Sequence, residues 1–289
     1  LPGRGPHLDR DRKIVRIVMS ILCDAHNHLH DNRFVAELPE ILSTMHDVGI
    51  AHCVVNGTCE DDWDRVIDLA HANPRMILPS VGLHPWKVST RSEDWLDKMT
   101  MIVIREPGRV FIGECGLDRW MPNPDIKEQE KVFISQLALA TKYNLPISIH
   151  CLKAWGLLLD ILKTHERPHR GFLLHSYGGS PELVPELTAL GAYFSFSGYF
   201  LRKKKNKIHD AFRRIPPDRV LVETDAPDML PPESYRKFSV STSETNSLNH
   251  PANLVKVAEG LANILEIRQS HLRSLTAQNF HSFFPVEDS

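Results

Sequence analysis

The sequence predicts an α/β fold, a TIM-type (β/α)8 barrel in a single domain. Three observations lead there. Eight short runs of apolar and β-branched residues recur along the 289-residue chain: Ile21–Cys23, His52–Asn56, Ile77–Gly82, Val110–Gly113, Pro146–His150, Gly171–His175, Ala192–Ser197 and Val220–Glu223. Segments of helical periodicity separate them, which implies parallel pairing with both faces buried. A count of eight favours a closed barrel over a doubly wound sheet, at the usual barrel size of ~250 residues.

Taken in order, each run delivers something at its end. The first leads into Asp24-Ala25-His26-Asn27-His28. Strand side chains two apart share a face, so His26 and His28 are expected to present two imidazoles to one point. The second run follows Gly49, a residue suited to close the preceding helix in the left-handed conformation. The third leads to His84, and the fourth delivers Glu114. Phe133, Leu137 and Ala140 then mark a helix by their i, i+4, i+7 spacing, with Asn144 at its end. The fifth run delivers His150 and the sixth His175; Gly191 precedes the seventh. After the seventh comes the basic stretch Arg202 to Lys207. The eighth delivers Asp225 and opens a long loop, Ala226 to His250, rich in Pro, Ser, Thr and Asn. Leu254, Val257, Ala258, Leu261, Ile264 and Leu265 form a wide apolar stripe on a following helix.

Composition is that of an ordinary globular protein, with 42% hydrophobic and 24% charged residues. A net charge of −2 argues against a passive nucleic-acid-coating protein but not against an enzyme with a local basic patch. Cys23, Cys53, Cys59, Cys115 and Cys151 form no CxxC pair, which fits a reducing compartment, cytoplasmic or nuclear, with organelle import left open. No stretch is long and apolar enough to span a membrane, and no protein partner is evident. Residues 1–18 are polar, basic and broken by Pro and Gly. They read as a translated leader or remnant ahead of Met19, with the barrel expected over 19–285; a transit peptide is the second reading, with Asp9 and Asp11 against it.

In a parallel barrel the C-terminal strand ends share one rim, where barrel enzymes place their chemistry. Four imidazoles (His26, His28, His150, His175) and two carboxylates (Glu114, Asp225) can hold two divalent ions there, one carboxylate bridging. Each residue alone has a plainer reading: a satisfied polar histidine, an ion-pair glutamate, a helix-capping aspartate. Six such coincidences at one rim would be needed together.

At these positions the chain resembles the TatD family of metal-dependent deoxyribonucleases, within the amidohydrolase superfamily. The residues that carry the likeness are Asp-Ala-His-Asn-His-Leu (24–29), Gly-Leu-His-Pro (82–85), Ile-Gly-Glu-Cys-Gly-Leu-Asp (112–118), Leu-Pro-Ile-Ser-Ile-His-Cys (145–151), His-Ser-Tyr-Gly-Gly (175–179) and Glu-Thr-Asp-Ala-Pro (223–227). The Asn-Phe-His-Ser-Phe-Phe tail (279–284) is similar to the family's closing helix. The resemblance implies a two-metal site in which His26, His28 and Asp225 hold one ion, His150 and His175 the other, and Glu114 bridges. It also implies hydrolysis of DNA phosphodiesters, often from the 3′ end, so single-stranded DNA or 3′ ends are the expected partner. Some superfamily relatives bridge with a carboxylated lysine; Glu114 at the fourth strand favours the TatD branch. Two departures stand out. His30 replaces the acid of the family's His-x-His-Leu-Asp, and Leu152 replaces the arginine of its His-x-Arg, with Lys153 following.

The expected chemistry follows from charge. Divalent ions lower the pKa of water from ~15.7 towards 7 and offset phosphoryl charge. Asp225 and Glu114 are the expected catalytic carboxylates, with Asp225 also accepting a proton from the attacking water. Imidazole-rich ligands suit zinc or manganese as bound ions, with magnesium serving in catalysis. His84, Lys153, Arg202, Lys203, Lys204 and Lys205 are the expected substrate contacts. Asp118 either orients a rim residue or caps a turn. Trp86, Trp120, Tyr177 and Tyr199 stack on bases or pack loops. Cys23 and Cys115 are read as small buried residues. Two other functions fit the pattern less well: a hydrolase using the same centre on a small phosphoester or amide, and a non-catalytic binding protein with a structural metal.

Overall fold

A computed structural model describes residues 21–240 and 248–286. The expected leader lies outside these residues, as do positions 241–247 of the long loop. Eight strands hydrogen-bond in chain order, every adjacent pair parallel: β1 (Leu22–Asn27), β2 (Ile50–Asn56), β3 (Ile77–Val81), β4 (Phe111–Asp118), β5 (Ile147–Leu152), β6 (Phe172–Leu174), β7 (Ala192–Ser197) and β8 (Val220–Glu223). The chain beyond β8 returns to β1 and closes the ring. Asp225 N donates to His26 O at 2.9 Å and His28 N to Ala226 O at 2.8 Å. The Asp24 carboxylate joins the same seam, accepting from Thr224 N at 2.9 Å and Thr224 Oγ1 at 2.5 Å. The structure is therefore the barrel that the alternating pattern predicts.

The described helices surround it: α1 (Leu38–Asp47), α2 (Glu60–Ala72), α3 (Trp95–Arg105), α4 (Ile126–Tyr143), α5 (Trp155–Thr164), α6 (Val184–Ala189), α7 (Asn206–Arg214), α8 (Leu254–Ile264) and α9 (Gln269–Phe283). Helix α4 starts where the Asp125 carboxylate accepts from Glu128 N, and it ends on Asn144 in the left-handed conformation. Gly49 and Gly191 also take positive φ, as their places between helix and strand predict. The stripe on α8 buries Leu254, Val257, Ala258 and Leu261 against the barrel, while Ile264 and Leu265 are only partly covered.

A second apolar cluster fills the barrel floor. Cys23, Ala25, Phe111, Leu173, Tyr193 and Leu221, near the strand starts, meet Phe280, Phe283 and Phe284 from the end of α9. Phe283 packs on Tyr193 at 4.7 Å between ring centroids, and Phe284 on Phe111 at 5.4 Å. Asn279 ties the helix down by donating to Val220 O and Pro217 O. The tail thus closes one end, and the polar residues gather at the other. Among the described residues no helix is long and apolar enough to cross a membrane, and no disulfide joins the cysteines.

The first, fourth and fifth strands run further than the apolar runs suggest. His26 and Glu114 lie inside β1 and β4 rather than beyond them, and β5 continues two residues past His150. Polar side chains interrupt the apolar pattern, but backbone pairing does not depend on side-chain polarity. Strand β4 also needs its glycines. Gly116 has φ +139, and a Cβ there would lie 2.0 Å from His150 O. The register shifts between Ile112 and Cys115, and this irregularity aims Glu114 into the mouth.

Candidate metal centre

The barrel mouth brings all six candidate metal-ligating residues together around Glu114. Its Oε2 lies 3.4 Å from both His26 Nε2 and His28 Nε2. Its Oε1 lies 2.9 Å from His150 Nδ1 and 2.8 Å from His175 Nε2. Asp225 joins the first set, with Oδ1 at 3.3 Å from His28 Nε2 and 3.7 Å from His26 Nε2. Tetrahedral ligands 2.0–2.1 Å from a zinc ion stand about 3.3 Å apart, close to the separations among His26, His28, Asp225 and Glu114 Oε2, whereas the contacts of Oε1 with His150 and His175 are of hydrogen-bond length. The buried His26 Nε2 makes no hydrogen bond, although it faces both carboxylates. An unpaired buried nitrogen is costly unless a cation takes its lone pair. The residues present therefore fit a divalent metal.

The outer nitrogens show which way each ring is turned. His28 Nδ1 lies 2.7 Å from the Asn56 carbonyl, which can only accept, so Nδ1 carries the proton and Nε2 offers its lone pair inward. His150 Nε2 meets the Asp118 carboxylate at 3.2 Å and His175 Nδ1 lies 3.6 Å from Glu223 Oε1, leaving the opposite nitrogens for the centre. His26 Nδ1 contacts Ser148 Oγ at 2.9 Å. His84 is turned the other way. Its Nδ1 accepts from Trp86 N at 3.1 Å, so the proton resides on Nε2, 3.3 Å from Glu114 Oε1. That ring presents a donor to the mouth rather than a lone pair.

The electrostatics suit a cation. Burial alone would raise the Glu114 and Asp225 carboxyls. Neighbouring imidazoles override it, holding Glu114 well below the usual range and Asp225 at about 2. Burial likewise opposes the imidazolium form of His28, His150 and His175, yet neighbouring carboxylates raise all three: Asp225 and Glu114 for His28, Asp118 and Glu114 for His150, Glu114 and Glu223 for His175. A buried negative field of this kind favours any cation placed within it. Asp225 takes φ +52 and Ser176, beside His175, φ +41; left-handed backbone at non-glycine residues is typical where a site is held under strain.

A cavity of about 890 Å³ opens over this centre. Of the expected substrate contacts, His84, Lys153 and Lys205 line it. Arg202, Lys203 and Lys204 are not among its lining residues. The turn directs Arg202 to Leu230 O and across the Tyr199 ring, and leaves Lys203 and Lys204 exposed away from the cavity wall. Of the four aromatic candidates, Tyr177 is wholly buried and donates to Ser180 O, so it packs. His30, in place of the family's acid, pairs with Asp62 at 3.4 Å on the cavity side. Cys23 and Cys115 are buried, and burial raises both thiols, Cys23 to about 12.

Several supporting residues have contacts that the sequence pattern does not assign. Glu223 faces His175 Nδ1 at 3.6 Å, beyond hydrogen-bond length, and accepts from the hydroxyls of Ser176 and Ser195. Asp118 both orients a neighbour and caps a turn, accepting from His150 and from the backbone of Trp120 and Met121. Two buried amides on α4 grip the loops. Gln136 pairs with the N–H and C=O of Leu83, and Gln129 with those of Asp118. The available signal is two glutamines seven apart on the apolar face of one helix.

Known proteins resemble this chain over nearly its whole length. A family model described as TatD related DNase matches residues 23–285. A Bacillus subtilis (strain 168) protein described as an uncharacterized metal-dependent hydrolase, YabD, is 30% identical over 92% of this chain and 100% of its own. An Edwardsiella piscicida protein named 3′-5′ ssDNA/RNA exonuclease TatD is 25% identical, covering 89% of this chain and 96% of its own. The crystal structure of YjjV, a TatD homolog from Escherichia coli K12, superposes with a TM-score of 0.84 at 24% identity, over 93% of this chain and 100% of that one. From β1 to the floor-closing helix, then, the chain belongs to the TatD family of metal-dependent hydrolases.

Proposed function

We propose that the protein is a metal-dependent nuclease that hydrolyses DNA phosphodiester bonds, acting exonucleolytically on single strands at 3′ ends. The observation that carries this reading is the division of Glu114: one oxygen faces His26 and His28, the other His150 and His175. In the proposed arrangement His26, His28 and Asp225 hold one divalent ion, His150 and His175 a second, and Glu114 both. Zinc or manganese are the ions as bound, with magnesium able to serve in catalysis. Relatives named as single-strand exonucleases support the substrate class and polarity.

Divalent ions at such a centre supply Lewis acidity, polarising a phosphoryl oxygen and acidifying water. The chain's own residues do the rest. Asp225, ionised at neutral pH, accepts a proton from the attacking water at its carboxylate. His84 donates from Nε2 to a phosphoryl oxygen. Lys153 and Lys205, on the cavity wall, meet flanking phosphates.

The test is hydrolysis of defined substrates by zinc- or manganese-loaded protein: single-stranded and duplex oligonucleotides, short nucleotides and simple phosphodiesters. Stepwise shortening of single strands from the 3′ end is expected, lost on chelation and in Asp225→Asn with its fold intact. Turnover of small phosphoesters or amides with no oligonucleotide cleavage would favour the second reading, to which the net charge of −2 lends some support.

A further inference from the structure

Among the described residues six large apolar side chains are exposed: Val35, Trp86, Met101, Ile104, Trp120 and Leu152. Three of them, Trp86, Trp120 and Leu152, line the cavity over the candidate metal centre. Trp86 is 51% and Trp120 62% exposed, although indoles are among the side chains with most to gain from burial.

Both tryptophans are tethered to one carboxylate. Trp86 Nε1 donates to Asp118 Oδ2 at 2.6 Å, and Trp120 N donates to Asp118 Oδ1 at 2.6 Å. Asp118 itself is fully buried and locked by Gln129, and its Oδ2 also meets His150 Nε2 at 3.2 Å. The Trp86 ring stands edge-on to His84 at 5.5 Å, and His84 faces Glu114. A single rigid group thus fixes the anchor of each indole relative to the centre. The other two cavity aromatics differ: Phe200 is buried, and the Tyr199 ring is already covered by Arg202 and Lys205, at 4.9 and 4.4 Å from its centroid.

We propose that Trp86 and Trp120, with Leu152 beside them, form a stacking platform for an unpaired nucleobase next to the scissile phosphate. The proposal rests on the nuclease reading and adds its specificity element. A base within a duplex has both faces covered by its neighbours, so the platform selects unstacked ends; every base offers a π-face, so it tolerates sequence. Asp118, by holding both the platform and a candidate metal-ligating ring, sets base and phosphate in one register.

The test is a two-way comparison on metal-loaded protein. Trp86→Ala and Trp120→Ala are assayed on a single-stranded oligonucleotide and on its copy with abasic nucleotides flanking the 3′ scissile bond. Each ring removal is expected to raise KM on the order of 10- to 100-fold on the intact strand with little change in kcat. Removing the bases is expected to cost the wild-type protein a similar factor, and the two losses should not add. Trp120→Phe should recover most of the affinity, as a purely structural role for the indole would not require. If the alanine variants cleave the intact strand with wild-type KM, or if ring and base losses multiply, the platform is overturned while the nuclease reading stands. If the wild-type protein cleaves neither strand, both fall together.

Discussion

Gln129 grips the backbone of Asp118 from both sides, its Oε1 accepting from Asp118 N at 2.8 Å and its Nε2 donating to Asp118 O at 3.1 Å. Both residues are buried. Gln129→Leu would keep the helix face apolar but leave an N–H and a C=O without partners. The expected cost is about 2–4 kcal/mol, seen as a lower urea midpoint at constant m-value. Gln136→Leu should behave alike through Leu83. Unchanged midpoints would show that these loops hold their shape unaided.

Glu223 is the partner of His175 on the side away from the centre. Glu223→Gln keeps the size but replaces a charged acceptor with an amide. Affinity for zinc, measured by competition with a chelating dye, is expected to drop 10- to 100-fold, with the circular dichroism spectrum preserved. An unaltered affinity would leave Glu223 as only a tie for the Ser176 and Ser195 hydroxyls.

His84 offers an N–H, not a lone pair, to the mouth. His84→Gln is therefore expected to retain the wild-type metal content by elemental analysis while kcat/KM falls on the order of 100-fold. Loss of one metal equivalent in this variant would instead make His84 a ligand.

His250 Nδ1 accepts from Ala252 N at the start of a short helical turn, and burial lowers its pKa to about 4. The unfolded chain binds this proton with a pKa of about 6.5, so between these values it holds more protons than the folded one. This contribution to stability is full above pH 6.5 and is lost as pH falls to about 4, by about 2 kcal/mol. Asparagine accepts the same hydrogen bond without titrating. Urea unfolding at pH 7.5 and 4.5 should show a smaller acid loss in His250→Asn than in wild type. Equal losses would remove His250 as the source.

The strand ends and the six candidate ligands were legible because each polar residue interrupts an apolar run at the same end of its strand. Their supports were not. Asn56 contributes a carbonyl, and Gln129 and Gln136 reach across to loops, so none leaves a mark in side-chain periodicity; Asp24 and Glu223 stand out as carboxylates near the ligands, but the sequence assigns neither to a particular imidazole. The basic stretch divides in a way that the sequence does not display. Four consecutive cations look like one surface in sequence, but a turn sends their side chains different ways and only Lys205 reaches the cavity. His84 could be placed from its spacing, yet the sequence says nothing of which ring nitrogen carries the proton; that is decided by one backbone N–H, from Trp86.

The aromatic floor has a consequence for how the chain is made. Phe280, Phe283 and Phe284 seat against residues from strands as early as β1, so the stopper of the barrel is made only after all eight strands. A nascent chain can pair its strands as they emerge, but until those final rings arrive the first ones have an unsealed apolar underside. Completion of the fold then waits on this one helix end, and a variant lacking Phe280, Phe283 and Phe284 would strand the protein in that half-built state.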